Sequence, residues 1–131
     1  MGNEKFEQVN SDVFCNGPYE FLSLIDTDGV LKVAMEDASN NIISVEFDGY
    51  IFFSKIDEGD AFETINTMYV NSCIGATLIR ARNSNLLKWF DRENHGVRGG
   101  ANLVHYILLM QNDIINVISL DVPSLIFKKN S

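Results

Sequence analysis

Between residues 19 and 56, apolar positions recur in short β-rich runs: Tyr19–Ile25, Val30–Glu36, Ile42–Phe47 and Tyr50–Ile56. Turn-forming stretches separate them, namely Asp26-Thr27-Asp28-Gly29, Asp37-Ala38-Ser39-Asn40-Asn41 and Asp48-Gly49. Asp, Asn and Gly tolerate the left-handed backbone of tight turns, so this spacing predicts an antiparallel meander. The second run alternates Leu31, Val33 and Met35 with Lys32, Ala34 and Glu36, the period of a strand with one face in water. At Asp60-Ala61-Phe62-Glu63 the period changes: Asp60 can cap a helix, Glu63 holds the capping-box position, and Phe62, Ile65 and Tyr69 recur at helical spacing. Ala76–Arg82 reads as a further strand. Asn83-Ser84 then opens a second helix with Leu86, Leu87 and Phe90 on its apolar stripe and Trp89 at the stripe's edge. Asn94–Ala101, with three glycines, reads as a loop. Leu103–Met110 and Ile114–Leu120 read as a closing hairpin turning at Gln111-Asn112-Asp113, and Pro123 ends that strand or marks an edge.

The expected class is α+β: a mostly antiparallel sheet of about seven strands with two helices in a single domain. That domain is expected over residues 19–127, after a polar N-terminal arm (1–18) and before a C-terminal tail (128–131). With 131 residues, 46% of them apolar and 21% charged, the chain can bury a core without disulfide or metal staples. Cys15 and Cys73 stand far apart without a CxxC partner, so neither a zinc site nor a redox pair is expected. No apolar run approaches the roughly 20 residues that span a bilayer. Met1-Gly2-Asn3-Glu4-Lys5 lacks a secretory start, and the expectation is a cytoplasmic protein without membrane contact.

Charge changes this picture. Residues 1–70 hold 14 Asp and Glu against 3 Lys and Arg, whereas residues 71–131 hold 4 against 7. Nucleic-acid binding draws its affinity from cations that displace counterions, so nucleic acid is excluded as a direct ligand of the acidic half. A basic protein partner suits it, because complementary potentials speed encounter. Asp57, Glu58, Asp60 and Glu63 form the acidic run with the least local neutralisation, Lys55 being the one nearby cation, and they are the expected partner-binding residues.

No catalytic, cofactor or metal site is expected. Asp26-Thr27-Asp28-Gly29 after an apolar strand resembles the nucleophile motif of haloacid-dehalogenase-type phosphatases, but a strand follows it at once instead of a loop and helix. A hairpin turn accounts for the same residues. A calcium loop would need a third acidic ligand and a Glu at its twelfth position. His95 and His105 show no supporting constellation in the sequence, and Gly96-Val97-Arg98-Gly99-Gly100 precedes a strand instead of a helix N-terminus. Phe52, Phe53, Phe62, Tyr69, Trp89 and Phe90 fit a core better than a ligand pocket.

Three stretches together carry a family resemblance. They are Val45-Glu46-Phe47-Asp48-Gly49-Tyr50-Ile51-Phe52-Phe53 leading to Asp57-Glu58-Gly59-Asp60-Ala61, then Asn85-Leu86-Leu87-Lys88-Trp89-Phe90, then His105-Tyr106-Ile107-Leu108 with Asn112-Asp113-Ile114-Ile115-Asn116-Val117-Ile118-Ser119. Over residues 19–127 the order of these core and turn residues resembles small bacterial proteins that include immunity proteins of contact-dependent growth inhibition systems. The resemblance implies a cytoplasmic protein that binds a toxin's C-terminal nuclease domain and blocks its active site. It carries over no functional residue, since such proteins recognise their own toxins through variable surface. The alternative class is a small-molecule-binding or regulatory module without catalysis.

Overall fold

The structure is a computed structural model that describes residues 4–10, 12–14, 17–57, 59, 77–97 and 102–128. Among them nine antiparallel strands form two sheets. Sheet 1 runs in the order β1 (Lys5–Gln8), β6 (Leu78–Arg82), β7 (Val104–Leu109), β8 (Asp113–Ser119), β5 (Tyr50–Asp57). Sheet 2 runs β2 (Glu20–Thr27), β3 (Val30–Glu36), β4 (Ile42–Asp48), β9 (Ser124–Lys128). One helix, α1 (Asn85–Glu93), is described. The class is α+β and mostly antiparallel.

Alternation decides which residues enter the core. Leu31, Val33 and Met35 of β3 and Ile43, Val45 and Phe47 of β4 are buried, while the residues between them form the solvated face of sheet 2. They meet Leu78, Tyr106, Leu108, Ile115 and Val117 of sheet 1 in one apolar layer. Phe47 and Tyr106 pack with ring centroids 5.8 Å apart across it. Sheet 1 is buried on its other face too, where Phe6, Ile79, Ala81, Ile107 and Ile114 form a second cluster. Strands buried on both faces need apolar residues at successive positions, which is why Tyr106-Ile107-Leu108 and Ile114-Ile115 do not alternate.

All seven expected strands are present, and Ser84 caps α1 as expected, its Oγ accepting the Leu87 N–H at 3.1 Å. Asp26-Thr27-Asp28-Gly29 closes a hairpin: Thr27 pairs with Val30, and Asp28 and Gly29 have φ of 52° and 78°, the two left-handed residues of a type I′ turn.

The structure corrects three expectations. First, the strand count is nine: Lys5–Gln8, read as part of a loose polar arm, pairs with β6, and Phe6 and Phe14 are buried; Ser124–Lys128 pairs with β4. Second, the meander stops after three strands. β4 does not pair with β5; Asp48-Gly49 is a corner at which the chain leaves sheet 2 for sheet 1. Third, the one expected sheet is two: β8 turns the opposite corner into β9, so β4–β5 and β8–β9 act as one ladder bent across both sheets. Equal steps along both strands from Glu46↔Ser124 arrive at Phe52↔Ile118, with a bulge between Tyr50 and Phe52 absorbing the bend. The expected first helix, with Asp60, Phe62, Glu63 and Tyr69, lies outside the described residues, as do Cys15 and Cys73. Among the described residues no helix is long and apolar enough to cross a membrane.

Candidate functional site

The two sheets differ in charge. Sheet 2 and its connections carry Glu20, Asp26, Asp28, Glu36, Asp37, Glu46, Asp48 and Asp121 against Lys32 and Lys128. Lys32 sits opposite Glu46 in the β3–β4 register, and Asp37 turns inward to accept N–H bonds from Ser39 and Asn41 at 2.8 and 2.9 Å. Of the rest, Glu20, Asp26, Asp28, Asp48 and Asp121 are exposed and Glu36 is half-buried. In sheet 1 the charges are matched: Glu7 accepts from Arg80 and from Arg82 Nε, the latter at 3.1 Å, and Lys55 Nζ lies 2.9 Å from Asp113. The bonds from Arg80, then Arg82, hold the Glu7 carboxyl below its ordinary range.

Negative charge concentrates where sheet 2 turns. The β2–β3 hairpin puts Asp28 at its tip, β4 ends on Asp48 opposite Val30, and Asp121 follows the β8–β9 corner. Gly49, at φ 110°, lets the backbone pass so close that a Cβ there would stand 2.8 Å from Asp121 Oδ2. Asp26 accepts a hydrogen bond from the Tyr50 hydroxyl, which raises the pKa of that phenol and links the hairpin to β5. Leu120 and Val122, on either side of Asp121, are 43% and 73% exposed, and Ile25, opposite Lys32 on the solvated face of β2, is 51% exposed, so this end presents apolar side chains next to acidic ones. Recognition surfaces combine those two features, apolar contact for affinity and a charged rim for encounter.

Asp57, from the expected acidic run, lies at the far end of β5, and its Oδ1 accepts the Gly59 N–H at 2.8 Å. It pairs in register with Asp113. Glu58, Asp60 and Glu63 lie outside the described residues. The structure therefore brings the Asp26 and Asp28 pair to the same end of sheet 2 as Asp48 and Asp121, and the common feature of these residues along the chain is adjacency to a turn or corner. That feature is the signal that locates them.

His105 has the constellation that its sequence neighbours conceal. Its Nδ1 lies 2.6 Å from Ser84 Oγ and its Nε2 2.8 Å from Asn116 Oδ1. The Asn oxygen can only accept, so Nε2 carries the proton and Ser84 O–H donates to Nδ1. Burial pushes the His105 pKa below its ordinary value, opposed by the Asn116 bond. A Ser–His–Asn chain has the components of nucleophile activation. Here Ser84 and His105 are each only 3% exposed and Ser84 Oγ also caps α1, so the chain fastens the helix to the sheet. Phe52 continues the attachment by packing against Trp89 and Phe90, with centroids 5.5 and 6.3 Å away. Among the described residues no group of three or more His, Cys, Asp or Glu is placed to hold a metal ion.

Comparison with known protein families, curated proteins and solved structures finds no match.

Proposed function

We propose that this protein is a non-catalytic binding module whose acidic surface docks a basic protein. In its most specific form the partner is the nuclease domain of a bacterial toxin, held with its active site occluded. One observation carries the reading: the negative charge is concentrated on sheet 2, where exposed Leu120 and Val122 flank Asp121 and exposed Ile25 precedes Asp26. A site that cleaves nucleic acid attracts phosphate through cations, and a carboxylate-lined surface offers those cations the same charge. The acidic run at Asp57, Glu58, Asp60 and Glu63 is a second part of the proposed surface. The resemblance to immunity proteins of contact-dependent growth inhibition systems supplies the identity of the partner in this proposal.

Co-expression with the basic C-terminal domain of a toxin encoded beside this chain tests the reading. The expected result is a one-to-one complex in which nuclease activity is lost. A nuclease that stays fully active, with no complex at micromolar concentrations, contradicts it.

A further inference from the structure

Four strands form the outer edges of the two sheets among the described residues, and three carry features that oppose the addition of another strand. β1 bears Lys5 and Glu7; β5 has a bulge between Tyr50 and Phe52, with Lys55 and Asp57 beyond it; β2 has a bulge between Phe21 and Ser23, flanked by Glu20 and Asp26. β9 differs. Its register with β4 is unbroken from Ile42↔Lys128 to Glu46↔Ser124, its one charge is Lys128 at the end, and Ile126 and Phe127 are 43% and 59% exposed. A regular edge with exposed apolar side chains and no bulge is a template for strand pairing.

We propose that β9 pairs antiparallel with β9 of a second copy of this chain, joining two copies of sheet 2 into one continuous sheet across a twofold axis. Pairing centred on Ile126 sets that residue opposite its counterpart. It also sets Leu125 opposite Phe127 on the core side and Ser124 opposite Lys128 on the solvated side. Self-complementarity of this kind is what a twofold interface demands. Charge selects the second copy over an unrelated strand. Glu46 pairs with Ser124 in the β4–β9 register, so the second copy's Lys128, next to Ser124, lies two strand spacings, about 9–10 Å, from Glu46. The short Ser124 side chain leaves room for the lysine stem to cross it and bring ammonium to carboxylate. Within one chain Lys128 makes no ion pair among the described residues, and Glu46, which faces Lys32 across the β3–β4 register without a salt bridge to it, has a 3.4 Å contact from the Ser44 hydroxyl. The overall negative charge opposes association at long range, but that repulsion is screened beyond about 8 Å at physiological ionic strength.

Sedimentation velocity of the full chain over a micromolar concentration series, at physiological ionic strength, tests this pairing. The expected result is a reversible monomer–dimer equilibrium that Phe127→Asp shifts to monomer. Lys128→Glu, which loses both symmetric ion pairs, weakens the dimer about ten-fold. Adding Glu46→Lys to Lys128→Glu restores association, an outcome that general stickiness of Phe127 does not produce. Far-UV circular dichroism shows that each variant keeps its fold. A wild-type chain that stays monomeric throughout overturns the proposal. So does a dimer that survives Phe127→Asp and Lys128→Glu unchanged, and so does a folded double charge-swap variant that fails to recover association.

Discussion

The His105 ring shows how much one side chain can organise. Its register neighbours are Ala81 and Ile118, and its polar partners are Ser84 and Asn116, so no carboxylate among these groups favours a charged imidazole. Desolvation lowers its pKa below 6.5, which means the unfolded chain binds the proton more readily than the native one. Stability from this group is therefore complete above pH 6.5 and declines as pH falls below it. Urea unfolding is expected to show a falling midpoint from pH 7.5 to 5.5, a window in which ordinary carboxylates do not titrate, and a flatter profile in His105→Gln. Ser84→Ala removes a helix cap and leaves Nδ1 without its donor, an expected loss of about 1–3 kcal/mol at neutral pH, read by the same titration. The cap at Ser84 was legible from Asn83-Ser84 before an apolar stripe. The network was not, because Asn116 and Ser84 reach His105 only when β6, β7 and β8 align.

Among elements, the two Asp-Gly pairs make the sharpest contrast. Asp28-Gly29 and Asp48-Gly49 both stand between β-rich runs, yet one closes a hairpin and the other turns a corner between sheets. Nothing local separates them: the partners that draw β5 away from β4 are β8 and β9, more distant in the chain and bonded in one bent ladder. β1 is hidden in the sequence for a related reason, since Lys5–Gln8 is mostly polar and only Phe6 belongs to an apolar cluster. β3 was legible residue by residue because its alternation needs no knowledge of a partner. The glycines turn this contrast into numbers. Gly29→Ala meets no atom within 4 Å and incurs only the positive-φ strain, about 1–2 kcal/mol. Gly49→Ala adds a clash with the Asp121 carboxylate to a less accessible φ of 110°, and is expected to cost more, up to about 3 kcal/mol. Asp121→Ala in that background relieves the clash alone, so denaturant unfolding of the double variant is expected to recover part of the loss.

For the molecule as a whole, the imbalance between the two halves of the sequence becomes an imbalance between two sheets. Sheet 1 takes most of the buried apolar residues and pairs Arg80, Arg82 and Lys55 with Glu7 and Asp113; sheet 2 leaves most of its carboxylates exposed. That imbalance was legible in composition, but its focus was not, because Asp26, Asp28, Asp48 and Asp121 come together only through a hairpin and two corners. Long-range attraction acts on encounter more than on the residence of a bound complex. The most direct measurement is the association rate with the proposed partner, a basic toxin domain, as ionic strength is raised, for wild type, Asp28→Lys with Asp48→Lys, and Asp57→Lys with Glu58→Lys. The expected result is a wild-type rate that falls steeply with salt and, at low salt, drops about ten-fold or more in at least one charge-reversed pair while dissociation changes less. A rate indifferent to salt and to both pairs, in variants that keep their melting temperature, contradicts electrostatic docking of a basic partner.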